Sequence, residues 1–166
     1  LEIKMIVIAH KINNLLEPLR KVSNCIASPL LDLGIRVFVA NIFFWSGWTK
    51  FQNYLNGNWD TTVYLYEEVH IVPFLPAELA AIFGTGAEII LPVLLVIGLF
   101  TRFSAAGLLL LTVTIEFFVA DSFGDPLSNS DHFFWMMLLA VPFIKGPGKL
   151  SLDHLLVRYL NKKQAE

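Results

Sequence analysis

The sequence predicts an all-α protein: a four-transmembrane-helix antiparallel bundle with amphipathic N- and C-terminal helices. Three observations carry this. The 166 residues are 55% hydrophobic and only 16% charged, with a mean hydropathy of +0.62; a soluble domain averages about 25% charged. Four apolar runs are separated by short polar segments. Lysine and arginine gather on alternate connections, which fixes an orientation. The chain divides into an interfacial arm (1–29), a transmembrane domain (30–146) and a short basic C-terminal helix or tail (147–166). A net charge of −2, with no basic cluster interleaved with aromatics, argues against nucleic acid as a partner. The single cysteine, Cys25, excludes an internal disulfide and a CxxC couple. Redox chemistry in this chain would need a cofactor, a quinone or a partner's thiols.

In the arm, Ile8, Ile12, Leu15, Leu16 and Leu19 recur at helical spacing beside Lys4, Lys11, Arg20 and Lys21. That pattern suits a helix lying in the membrane interface; the alternative is a loosely ordered basic tail. Pro18 and Pro29 are expected to break or kink it. The arm lacks the charged flank, apolar core and small-residue cleavage site of a signal peptide.

The first span is 30–51. It contains Arg36 and Lys50, 14 residues apart (50 − 36) and so nearly on one face. Gly47 beside that stripe would let a second helix approach closely. Trp45 and Trp48 fit an aromatic belt. Segment 52–76 is polar and aromatic, with Asp60, Glu67 and Glu68 and no Lys or Arg. NGNWD signals a turn. TTVYLYEEV reads as a short helix or strand at the surface, and His70 as a loop histidine, solvated or, as the alternative, a ligand.

The second span, 78–100, is the stretch on which the rest depends. It supplies the roughly 20 apolar residues a crossing needs, interrupted by Glu88 near its middle. A carboxylate there costs about 2.5 kcal/mol or more unless paired, protonated or wetted. Glu88 must therefore face protein. The third span, 103–120, carries Glu116 four residues after Thr112 and on the same face. An acidic loop follows over 121–132. The fourth apolar run, 133–144, is short; extending it through SNSDH places Asp131 and His132 at the helix entrance and Trp135 one turn in. GPGK stops that helix. SLDHLLVRYLNKK then opens on a serine cap and continues as a basic amphipathic helix.

The arm, the Thr101–Arg102 turn and the tail hold nearly all the Lys and Arg, whereas 52–76 and 121–131 hold only acids. Both termini and the middle turn are then cytoplasmic. Counting ~1.5 Å per residue, Glu88 lies near mid-membrane and Glu116 in the outer half; Lys50, Asp121, Asp131 and His132 sit near the outer mouth, Arg36 and Arg102 near the cytoplasmic side. The expectation is one outward-opening polar cavity. Lys50 and His132 are its donors, Glu88 and Glu116 its acids, Trp48 and Trp135 its walls. Lys50 would pair with Glu116 or Glu88. The alternative is that these charges only staple the helices together.

Three stretches, RVFVANIFFWSGWTKF, GTGAEIILPVLLVIGLFTRFSAAGLLLL and FIKGPGKLSLDHLL, together resemble the DoxX family of small bacterial membrane proteins over roughly residues 30–156. The resemblance implies that Arg36, Lys50, Glu88 and Arg102 are the family's polar positions. It also implies an inner-membrane location and a link to quinones, since the family is named for a subunit associated with thiosulfate:quinone oxidoreductase. The implied function is a quinone-linked redox or oxidative-stress component. A quinone headgroup would sit between Trp48 and Trp135, polarised by Lys50 or His132, with Glu88 or Glu116 handling the proton and Arg36 and Arg102 completing the binding set. No metal site and no intrinsic cofactor is expected, so electrons would come from a redox partner protein or a soluble reductant. The alternatives are a non-enzymatic scaffold subunit and a proton-coupled small-molecule carrier with Glu88 as relay.

Overall fold

The computed structural model describes residues 2–72, 74–119 and 130–164, and every regular element among them is helical. Helix α1 (Glu2–Val22) passes through a π-helical turn (Ser23–Ala27) directly into α2 (Ser28–Leu55). The expected boundary at residue 29 therefore falls inside a continuous helix, and Pro18 and Pro29 do not end it. The ring of Pro29 collides with the carbonyl four residues back in a regular α-helix. The wider π turn just before α2 relieves that collision.

A short α3 (Trp59–Glu68) follows, then α4 (Ala77–Ile97), α5 (Thr101–Thr114) continued by a π turn (Ile115–Val119), α6 (Ser130–Lys145) and α7 (Leu152–Gln164). TTVYLYEEV is thus helix, not strand. Its Thr62 and Tyr66 are buried one turn apart, the period of a helix with one covered face. Asp121 and most of the acidic loop lie outside the described residues.

Helix α2 packs on α4, α4 on α5, α5 on α6, and α6 back on α2. Their shared core is Val39 and Phe43 of α2, Leu95 of α4, Ala105 and Leu108 of α5, and Leu139 of α6. Around this core the usual arrangement of a water-soluble domain is inverted. Arg36, Lys50, Glu88 and Glu116 are buried, while Phe38, Trp45, Phe83, Ile90, Phe103 and Leu110 are exposed. Charged residues are almost never buried in soluble domains unless paired, and apolar surface this extensive marks an interaction with lipid or protein. Two helical stretches, His10–Leu55 and Ala77–Ile97, are long and apolar enough to cross a membrane.

Candidate functional site: a buried ion pair between two cavities

The site begins at the crossing of α2 and α4. A Cβ at Gly47 would stand 2.7 Å from Glu88 Cβ, so the missing side chain is what lets the helices meet here. One turn further along α2, Lys50 reaches Glu88. Its Nζ lies 2.6 Å from both Oε1 and Oε2, donates to Ser46 Oγ at 3.3 Å, and stands 5.7 Å above the ring of Tyr66. Lys50 is 7% and Glu88 4% exposed. Desolvation costs several kcal/mol per ion, and only close, well-satisfied geometry offsets it. Pro92, four residues after Glu88, has no N–H to donate to the Glu88 carbonyl.

Helix α3 covers the pair. Asn53 Nδ2 donates to Thr62 Oγ1 at 3.2 Å, tying α3 to α2. Tyr66 packs over α4 with its hydroxyl against Gly84, where a Cβ would come within 2.1 Å of that oxygen. His70 follows, its ring edge-on to Tyr66 at 5.4 Å. Burial, and secondarily the charge of Glu88, pushes the Tyr66 hydroxyl well above the usual tyrosine value. Burial, and secondarily Lys50, pushes His70 down to about 4.

Two cavities flank the pair. One, of about 310 Å³, is mostly apolar and runs between α3, α4 and α5; Tyr66, His70, Gly84, Glu88, Leu91 and Leu111 line it. The other, of about 380 Å³, lies between α2 and α3; Ser46, Thr49, Lys50, Asn53, Thr61, Thr62, Leu65 and His70 line it, though they present more apolar than polar surface to it. His70 touches both. This differs from the single polar cavity expected from sequence. Neither Trp48 nor Trp135 lines either space: Trp48 stacks on Phe44 along α2, and Trp135 packs against the core through Phe43.

Glu116 and His132 form a second, separate pair, with Oε2 and Nδ1 2.6 Å apart. Glu116 is 1% exposed and sits in the π turn that continues α5; His132 on α6 leans edge-on against Trp135 at 4.9 Å. Lys50 therefore meets Glu88, and Glu116 takes the histidine instead.

Arg36 and Arg102 lie at the other end of the bundle. Arg36 donates to the carbonyls of Leu95 and Val96 at the end of α4, to Leu150, and to Asp32 in its own helix. Four carbonyls at a helix end lack intrahelical partners, and this guanidinium satisfies two of them. Beside it Gly98, at φ +70°, ends α4, and Asp153 N donates to its carbonyl at 2.9 Å. The Asp153 carboxylate accepts from Phe100 N, Thr101 N and Thr101 Oγ1 at 2.9 to 3.0 Å, capping α5. Ser151 Oγ accepts from His154 N and caps α7 as expected. Arg102 is exposed, its guanidinium 3.5 Å from the Ile144 carbonyl. Among the described residues no cluster of three or more His, Cys, Asp or Glu is arranged to hold a metal ion.

The DoxX family model matches residues 31–121, a stretch that holds Arg36, Lys50, Glu88, Arg102 and Glu116. The chain belongs to the DoxX family. It is also 33% identical over 136 residues to an uncharacterized protein of Haemophilus influenzae, covering 79% of this chain and 86% of that protein. No solved structure matches. In this DoxX chain the α3 segment between the first two long helices supplies Tyr66 and His70 to the site. Sequence reasoning passed over Tyr66 and took His70 for a solvated residue. The signal was the spacing of Trp59, Thr62, Tyr66 and His70, which repeats every three to four residues. It also passed over Asp153, visible only as the acid of LSLD.

Proposed function

We propose that this DoxX protein is a four-crossing inner-membrane protein, its helices antiparallel and both termini cytoplasmic, that binds a quinone-class ligand beside the Lys50–Glu88 pair and serves as a quinone-linked redox or oxidative-stress component. The observation that carries the reading is an apolar cavity whose wall includes Glu88, the acid of a buried ion pair. Phe83 and Leu110 on its lining are 64% and 68% exposed on the outer faces of α4 and α5, so a lipid-soluble molecule can reach it sideways from the bilayer. A volume of about 310 Å³ is at the low end of ligand sites, roughly 300–1,000 Å³. That suits a ring headgroup with its tail left in lipid. The ring of four packed helices and the inverted distribution of charge support four crossings.

In this reading Glu88 holds or releases a proton at its carboxylate while Lys50 compensates the charge. Electrons come from a redox partner protein or a soluble reductant. The test is quinone binding by purified protein, together with quinone turnover in membranes carrying wild type or Lys50→Met and Glu88→Gln. The reading predicts binding and a turnover that falls in both variants. No binding, with turnover indifferent to both substitutions, overturns it.

A second reading is favoured by one further observation: the pair stands between two spaces, Glu88 lining one and Lys50, with hydroxyl and amide side chains, lining the other. That is the layout of a proton-coupled carrier with Glu88 as relay. Proton-dependent uptake into vesicles, abolished by Glu88→Gln, would select it over the redox role.

A further inference from the structure

We propose that the ligand's polar headgroup is held by Tyr66 and His70 of the α3 segment, and that this segment is the specificity-determining lid of the cavity. The inference rests on the quinone-class reading above and changes which residues recognise the ring carbonyl.

Lys50, the obvious donor, is already engaged. An ammonium has three protons, and Lys50 spends them on the two oxygens of Glu88 and on Ser46. A carbonyl approaching Nζ must displace one of these, and removing the carboxylate would leave a buried charge unpaired, which is strongly unfavourable. His132 is engaged with Glu116 and does not line this cavity.

Tyr66 is differently placed. It is buried, it lines the apolar cavity, and no described residue accepts a hydrogen bond from its hydroxyl. The ring is locked by Gly84 on one side and by the tether from Asn53 to Thr62 one turn back. Its raised pKa keeps it a donor across the physiological range. His70, neutral in the fold, brings one donor and one acceptor nitrogen to the same wall. Both groups come from one short segment, so an acceptor carbonyl bound there also pins α3 over the ion pair. The ligand class is a lipid-soluble ring compound bearing a hydrogen-bond-accepting carbonyl and an apolar tail.

The test compares decylubiquinone with decylbenzene, which has the tail but no carbonyl, by titration calorimetry of the full chain in lipid nanodiscs. Tyr66→Phe keeps the ring and its packing. It should weaken decylubiquinone about tenfold, the scale of one lost hydrogen bond, and leave decylbenzene unchanged. His70→Leu should do the same, and His70→Gln, which keeps a donor, should recover most of the loss. Unchanged decylubiquinone binding in Tyr66→Phe, or equal losses for both compounds, overturns the assignment while leaving the quinone reading intact. A wild type that does not prefer decylubiquinone over decylbenzene overturns the quinone reading and this inference with it.

Discussion

Gly47 of α2 and the peptide of Glu88 on α4 are in direct contact: a Cβ at position 47 would meet Glu88 Cβ at 2.7 Å and its carbonyl carbon at 2.9 Å. The second contact is with backbone, which cannot swing aside as a long side chain can. Gly47→Ala must therefore separate the helices at the level of the ion pair. The expected cost is about 1–3 kcal/mol, the range for overpacking a filled core. Thermal unfolding in detergent checks the loss. Gly34→Ala on the same helix, where a Cβ meets nothing within 4 Å, is the control and should be neutral or slightly stabilising.

Breaking the ion pair from one side leaves a buried charge. Lys50→Met or Glu88→Leu alone should each destabilise by about 3–5 kcal/mol. The double substitution should recover most of that loss, because two apolar side chains leave no charge to solvate. A double-mutant cycle read by denaturant or thermal unfolding gives the coupling directly. Additive single effects would show that the two charges do not depend on each other.

The His70 imidazole gives the site a pH dependence with a definite sign. Its pKa is about 4 in the fold and about 6.5 in an unfolded chain. Between those values the unfolded state binds the extra proton, so stability rises with pH. The contribution is fully present above about pH 6.5 and is lost as pH falls towards 4. Tyr66, its hydroxyl pKa raised by burial, stays protonated throughout that window. Melting temperatures of wild type should fall from pH 7 to 4.5, and the fall should be shallower in His70→Gln.

The cap on α5 offers a fourth prediction. Asp153 accepts three hydrogen bonds from Phe100 and Thr101, and Phe100 is a non-glycine residue at φ +50°. A cap residue replaced by alanine costs about 0.5–2 kcal/mol, and charge-assisted bonds lie at the upper end of such ranges. Asp153→Ala should cost roughly 2 kcal/mol. Hydrogen exchange should rise at 98–102 and along α7, and stay unchanged around Glu88 at the other end of the bundle.

Much of this was legible in the sequence, for identifiable reasons. The helical class follows from four long apolar runs. The partnering of Glu88 follows from the cost of a lone carboxylate among apolar residues, and Gly47 beside the Arg36–Lys50 stripe marked where a neighbour would approach. Which acid Lys50 would meet was not legible, because two acids on different helices satisfied the same cost argument and only packing chose between them. The walls of the site were misplaced for a related reason. Tryptophans suit an aromatic belt, a core or a ligand equally well; Trp48 packs along its own helix on Phe44 and Phe51, and Trp135 against the core. Segment 59–70 reads as a short element lying at the surface because its acids Asp60, Glu67 and Glu68 outweigh, in composition, the buried face of Thr62 and Tyr66. The knot around Gly98 joins residues more than fifty positions apart, a separation no local pattern reports.

That knot governs how the chain can be made. The turn between α4 and α5 is secured by an acid that emerges from the ribosome some fifty residues later, and Arg36, made long before either, waits for the Leu150 carbonyl. The hairpin at the heart of the molecule is thus left unfastened until synthesis has nearly finished. A chain truncated before residue 150 would hold its long helices without their clasp; one that runs past Asp153 would carry it.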